Sequence, residues 1–229
     1  MSGRAQTKYP IDLVFVIDVT GSMGDVLNNV KAMAINFEKE LNEEMNLRNK
    51  SVESLRVRVV SFRDLGEEGL GAISTTQFFN LPTEEDSFRA VLDSLDPLGG
   101  GDEAESGLEA LWVAIRSPWR KAALKSRHII VMFTDASAHE LGKFPFKSLQ
   151  DAIAVPKTLG EMQGRWGDAG DPGLMNVASK RLVLFAPDAY PWNEIGESWE
   201  NTNWFPSQAG NGCAEIELKQ IIQTVAGSV

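Results

Sequence analysis

Residues 11 to 24 read IDLVFVIDVTGSMG: a run of aliphatic and aromatic residues, broken only by Asp12, that stops at Asp18 and turns through Gly21 and Gly24. So apolar a run, too short for a core helix, reads as a strand buried on both faces, as in a parallel sheet. Two more runs of this kind follow, HIIVMF at 128–133 and RLVLFA at 181–186. LRVRVVSF at 55–62 alternates at its start, and TQFFNL at 76–81 reads as a short edge strand after the glycine-rich GEEGLGA. Helical spacing fills the gaps. In residues 25–45, Val26, Val30, Met33, Ile35, Phe37 and Leu41 form an inward stripe, and SFRAVLDSL, ESGLEALWVAIRS and AEIELKQIIQTVA repeat the pattern. Strands alternating with helices predict a doubly wound, Rossmann-like α/β fold: a mostly parallel central sheet with one antiparallel edge strand and helices on both faces.

The 229 residues favour one domain over two at roughly 100 to 200 residues per domain. Its core is expected over about 9–229, with loop insertions at about 137–180, carrying one helix near Pro156–Gln163, and at about 188–212. A hydrophobic fraction of 43% and a charged fraction of 24% exclude disordered and coiled-coil classes. The net charge of −10 argues against nucleic acid or an anionic membrane as partner. The lone Cys213 rules out an internal disulfide framework and suits a reducing compartment. Neither a secretory signal nor a spanning apolar run is legible, so the expected location is the cytoplasm.

In an open α/β sheet, ligands gather beyond the carboxyl ends of the parallel strands. The residues there are rich in oxygen: Asp18, Thr20 and Ser22 after the first run, Thr134 and Asp135 after HIIVMF, and GGGDEAES at 99–106 between them. Alternate positions let a turning loop send one carboxylate and two hydroxyls to the same side. Hard oxygen ligands suit Mg²⁺, Ca²⁺ or Mn²⁺ rather than zinc or copper.

These segments resemble the von Willebrand factor A domains, whose metal-ion-dependent adhesion site uses a strand-end Asp-x-Ser-x-Ser, a middle-loop Thr and a later strand-end Asp. DLVFVIDVTGSM matches the first element with Thr20 for the first Ser, in the manner of bacterial-type members, and TDAS matches the last at Asp135. The resemblance runs from Tyr9 to the C-terminal helix. It implies that Thr20 and Ser22 bind the metal directly, with Asp18 and Asp135 acting mostly through water. Asp102 stands where Thr is common, and Glu103 and Glu105 are alternatives that spacing does not separate. Three carboxylates against a divalent cation leave about −1, which favours the cation and disfavours an acidic ligand. The implied function is non-catalytic, cation-dependent recognition of another protein, within an intracellular regulatory or stress-response assembly. That last extension rests on analogy alone.

Other readings compete for the same residues. Asp18, Thr20 or Ser22 could simply cap the following helix. Gly99–Gly101 lacks the Gly-Lys-Ser/Thr of a phosphate loop, and Ser22 lacks the glycine spacing of a nucleophile elbow. The alternative enzyme is a Mg²⁺-dependent haloacid-dehalogenase-like phosphotransferase using Asp18, but that chemistry calls for an acid at position 20, which is Thr. His128 reads as a strand-start residue. His139, Trp192, Trp199 and Trp204 are candidates for a partner-binding rim beside the metal, although tryptophans also pack down as loop cores. The basic cluster Arg116, Arg120, Lys121, Lys125 and Arg127 reads as a solvated helix end.

Overall fold

The computed structural model of the chain describes residues 6–99, 104–121, 125–143, 154–170, 173–207 and 218–228. Its main sheet holds β1 (Thr7–Asp18), β2 (Lys50–Phe62), β3 (Ile73–Thr75), β4 (Phe79–Leu81), β6 (Arg127–Phe133), β8 (Lys180–Pro187) and β9 (Thr202–Ser207). The order is β3-β2-β1-β6-β8-β9, with β4 also on β2. β2, β1, β6, β8 and β9 run parallel, while β3 and β4 run antiparallel along β2. The antiparallel edge anticipated at 76–81 is thus made in two short pieces. β5 (Ala104–Glu105) and β7 (Ser137–Ala138) form a separate parallel pair.

Alternation along β1 divides the core. Ile11, Leu13, Phe15 and Ile17 face the layer formed by α1 (Gly24–Leu47), α3 (Glu85–Asp93) and α7 (Leu218–Ser228). Val14 and Val16 face α4 (Gly107–Ile115), α5 (Leu159–Trp166) and α6 (Trp192–Ser198). α2 (Leu65–Glu68) is a single turn capped by Asp64, whose side chain accepts from Gly66 N. The inward stripe of α1 comprises Leu27, Val30, Ala34, Phe37, Leu41 and Met45, agreeing with the expected stripe at Val30, Phe37 and Leu41; Ile35 is only partly buried, and the side chains of Val26 and Met33 lie outside the described residues.

Two further expectations are corrected. Residues 188–212 were expected to be irregular, yet they supply α6 and the fifth parallel strand, β9. The sequence TNWFPS hides a strand because its Pro206 and polar residues suit an edge, where one side of the backbone needs no partner. Arg120 is not a solvated cap. Together with Arg56 it clamps Asp12, which is wholly buried: Arg56 Nη2 lies 2.5 Å from Oδ2 and Arg120 Nε 2.6 Å from Oδ1. Burial alone would lift the Asp12 carboxyl, but the two arginines outweigh it and hold it below the ordinary carboxylate range. His128 sits at the same end, stacked on Trp119 with ring centroids 5.2 Å apart.

Beneath the opposite, carboxyl-end edge, side chains lock the loops together. Ser106 Oγ accepts from Leu65 N at 2.8 Å, and His139 Nε2 lies 3.4 Å from Asp64 Oδ1. Lys143 Nζ lies 2.8 Å from His139 Nδ1; since an ammonium can only donate, this ring nitrogen accepts. Trp192 is wholly buried and donates from Nε1 to Ala136 O at 2.8 Å, fixing the turn after Asp135. Gly107 lies under that indole: a Cβ there would stand 2.7 Å from Trp192 Cζ2 and 3.2 Å from Met132 Cε.

Glu109, on α4, is buried with Oε2 lacking any hydrogen-bond partner. Burial, aided by the charge of Asp64, pushes its carboxyl up to about 7.

Two predictions follow from this packing. Gly107→Ala should lose roughly 1–3 kcal/mol of stability in urea unfolding, because a rigid indole must move; an unchanged midpoint would show that Trp192 yields freely. For Glu109, the folded chain keeps a proton that the unfolded chain releases, so stability falls as pH rises from 4.5 to about 7 and the loss is complete above that. Glu109→Gln should therefore match the parent at pH 4 and exceed it by roughly 1–3 kcal/mol at pH 8. A difference that is the same at both pH values would exclude Glu109 as its source.

Candidate cation site at the carboxyl edge of the sheet

The ends of β1, β2, β6 and β8 are level, since Asp18 pairs with Phe62, Ile17 with Phe133 and Phe133 with Phe185. Adjacency of β1 and β6 therefore places the loop after Asp18 beside the one carrying Thr134 and Asp135. Gly21 N donates to Gly99 O at 3.1 Å and Leu98 N to Val19 O at 3.1 Å, which laces the middle loop to the first. A Cβ at Gly21 would stand 3.3 Å from Gly99 O, tighter than side chains ordinarily tolerate, and Gly99 has φ +77°, a conformation that glycine adopts without strain.

Asp18, Thr20 and Asp135 are buried, whereas Ser22 is exposed. Asp18 Oδ1 accepts from Thr20 N at 2.9 Å and from Thr20 Oγ1 at 2.6 Å; Oδ2 accepts from Thr134 Oγ1 at 2.7 Å. Thr20 Oγ1 and Ser22 Oγ are 3.2 Å apart, and Ser22 Oγ donates to Asp135 Oδ1 at 2.9 Å. One chain of oxygens thus runs from Thr134 through Asp18, Thr20 and Ser22 to Asp135. Asp135 Oδ2 is buried without a hydrogen-bond donor, and no lysine or arginine among the described residues pairs with either carboxylate. Burial pushes Asp18 up to about 6, against the hydrogen bonds from Thr20 and Thr134 and with help from the charge of Asp135.

The capping alternative does not describe this loop: neither Thr20 nor the residue preceding α1 makes a side-chain cap, and Asp18 closes only the turn to Thr20. Asp102 and Glu103 lie outside the described residues. Glu105 is buried in β5, and its carbonyl accepts from His139 N at 3.0 Å. Among the described residues, no group of three or more carboxylate, histidine or cysteine side chains is placed to hold a metal ion.

The suggested rim is placed differently. His139 is buried against Asp64 and Lys143. Trp192 is core, Trp204 is half-buried in β9 with Nε1 donating to Ala186 O at 3.2 Å, and Trp199 is buried ahead of β9, at the other end of the sheet. Indoles bury large areas, and each here finds a pocket between a helix and the sheet. Sequence reading named Thr134 at the strand end without giving it a role, and here it holds Asp18; it passed over Asp64, which ties together the loops below. Thr134 was legible beside Asp135 at a strand end; Asp64 had no motif to mark it.

Residues 12–146 match the von Willebrand factor A domain family. Among curated proteins, the chain is 37% identical over 103 residues to human von Willebrand factor A domain-containing protein 7, covering 45% of this chain and 10% of that protein. It is 25% identical over 170 residues to human integrin beta-6, covering 67% and 21%. The chain therefore spans only about a tenth to a fifth of the length of these relatives. Among solved structures, the pilus adhesin SpaC from Lactobacillus rhamnosus GG aligns over 95% of this chain and 30% of its own, with TM-score 0.52 at 11% identity, a likeness of fold. The family match takes in more than half of the 229 residues, including Asp18, Thr20, Ser22, Thr134 and Asp135, and the chain belongs to the von Willebrand factor A domain family.

Proposed function

We propose that the domain is a non-catalytic module that recognises another protein through a divalent cation, Mg²⁺ or else Ca²⁺ or Mn²⁺, held at the carboxyl edge of the sheet. The observation that carries this reading is the pair of buried carboxylates, Asp18 and Asp135, joined through two hydroxyls with Asp135 Oδ2 left without a donor. Two buried anions in one oxygen cluster are costly without a compensating charge. An all-oxygen set suits a hard cation. Thr20 and Ser22 would hold it directly, Asp18 and Asp135 mostly through water, with Asp102 completing the set. The cation would supply positive charge to attract a partner's oxygen.

The chain's own residues prepare that site. Thr134 and Thr20 occupy both oxygens of Asp18, which fixes the carboxylate and leaves it poorly disposed as a nucleophile; this disfavours the phosphotransferase alternative. Ser22, exposed at the rim, is the hydroxyl nearest solvent. A place in a cytoplasmic regulatory or stress-response assembly belongs to the same proposal and rests on family analogy.

Calorimetry of chelator-stripped protein against Mg²⁺, Mn²⁺ and Ca²⁺ tests the reading. One-site binding is expected, weakened at least about tenfold in Asp18→Ala and in Asp135→Ala. A folded wild type that binds none of the three would overturn it. Asp102→Thr should bind the cation more weakly than wild type, since it removes a negative charge from the site; tighter binding would remove Asp102 from the ligand set.

A further inference from the structure

The stretch that leads into the middle loop has little apolar anchorage. Of Asp96, Pro97, Leu98 and Gly99, only Pro97 is even partly buried, and Leu98 is 62% exposed. Polar contacts therefore hold residues 96–99 to the sheet edge, and a segment held in this way opens locally at small cost. Leu98 N donates to Val19 O and Gly21 N to Gly99 O. A further group reaches the same place from the end of β2: the side chain of Arg63, the residue after Phe62.

Arg63 spreads its guanidinium over three partners. Nη2 donates to Asp96 O at 2.8 Å, Nε donates to Val19 O at 3.2 Å, and Nη1 lies 3.6 Å from Glu68 Oε2 on α2. Glu68 in turn lies against the loop, since a Cβ at Gly99 would run into its Oε1 and stand 3.5 Å from Arg63 Cδ. The entry to the middle loop is thus clasped between the first loop on one side and an ion pair on the other. A planar guanidinium with donors at fixed angles suits this bridging, which a single ammonium does not reproduce.

One of those contacts bears directly on the buried carboxylate. Val19 O belongs to the peptide that joins Val19 to Thr20, and the N–H of that same unit donates to Asp18 Oδ1 at 2.9 Å. Because the unit is planar, fixing its oxygen fixes the direction of its N–H. Arg63 Nε and Leu98 N both bind that oxygen. A side chain from β2 therefore reaches the Asp18 carboxylate and the backbone of Thr20 through one peptide.

We propose that Arg63 is a positioning residue for the cation site: its clasp holds the Val19–Thr20 peptide and the middle loop in the arrangement that binds the cation, and so sets the affinity without supplying a ligand. This role rests on the cation reading. Charge and clasp predict opposite signs. As a bare positive charge near a cation, Arg63 would weaken binding, and removing it would strengthen binding. As a clasp, its removal weakens binding.

The test compares the wild type with Arg63→Met, which keeps a long apolar stem but loses the donors and the charge, and with Arg63→Lys, which keeps the charge without the fork. Amide hydrogen exchange in chelator reads the clasp without any cation. The Gly21 and Leu98 amides should exchange at least about tenfold faster in Arg63→Met, while those of Val16 and Val131, deep in the sheet, keep wild-type protection, so that the loss is local and not unfolding. Calorimetry with Mg²⁺, Mn²⁺ and Ca²⁺ should show affinity at least about tenfold lower in Arg63→Met, with Arg63→Lys falling between the two. Unchanged exchange at Gly21 and Leu98, or an equal acceleration at Val16 and Val131, would overturn the proposal. A wild type that binds none of the three cations would overturn the cation reading and this role with it; binding that Arg63→Met retains in full, or improves, would overturn this role alone.

Discussion

Placing β1 directly beside β6, with their carboxyl ends level, is the constraint from which the candidate site follows. Parallel pairing in register, Ile17 against Phe133, leaves the chain no choice but to bring Asp18 and Asp135 to the same edge. Those strands are apolar because both of their faces are covered by helices, so their terminal carboxylates start from a buried position. Everything around them manages that burial: Thr134 reaches across to Asp18, Ser22 reaches across to Asp135, and Thr20 lies between.

A second layer keeps those ends where they are. Trp192 fixes the backbone after Asp135, and Gly107 makes room for its indole. Asp64, Ser106 and His139 join the loops that follow β2, β5 and β7. The loops of the edge are thereby held from beneath by buried polar contacts, in addition to the backbone bonds between Gly21 and Gly99 and between Leu98 and Val19.

How much of this was legible in the sequence depended on the strength of local signals. β1, β6 and β8 announced themselves through unbroken apolar runs, and the oxygen-rich residues after β1 and β6 could be placed at the sheet edge from those runs alone. β9 could not, because an edge strand with Pro206 and alternating polar residues looks like a loop. The tryptophans were legible as important but not as to direction, since an indole suits a core and a rim equally. Arg120 was misread because its partner, Asp12, lies 108 residues away, and no local spacing reports such a contact. Asp64 escaped for the same reason, its roles being defined only by Ser106 and His139.

β1 carries two buried aspartates, Asp12 midway along it and Asp18 at its carboxyl end, six residues and so roughly 20 Å apart along the strand. At Asp12 the chain answers the charge from its own resources, with the guanidiniums of Arg56 and Arg120. At Asp18 it offers only hydroxyls and an amide. The same strand thus carries one carboxylate whose charge is answered within the fold, beside His128 and Trp119, and one at the loop edge that no lysine or arginine among the described residues pairs with.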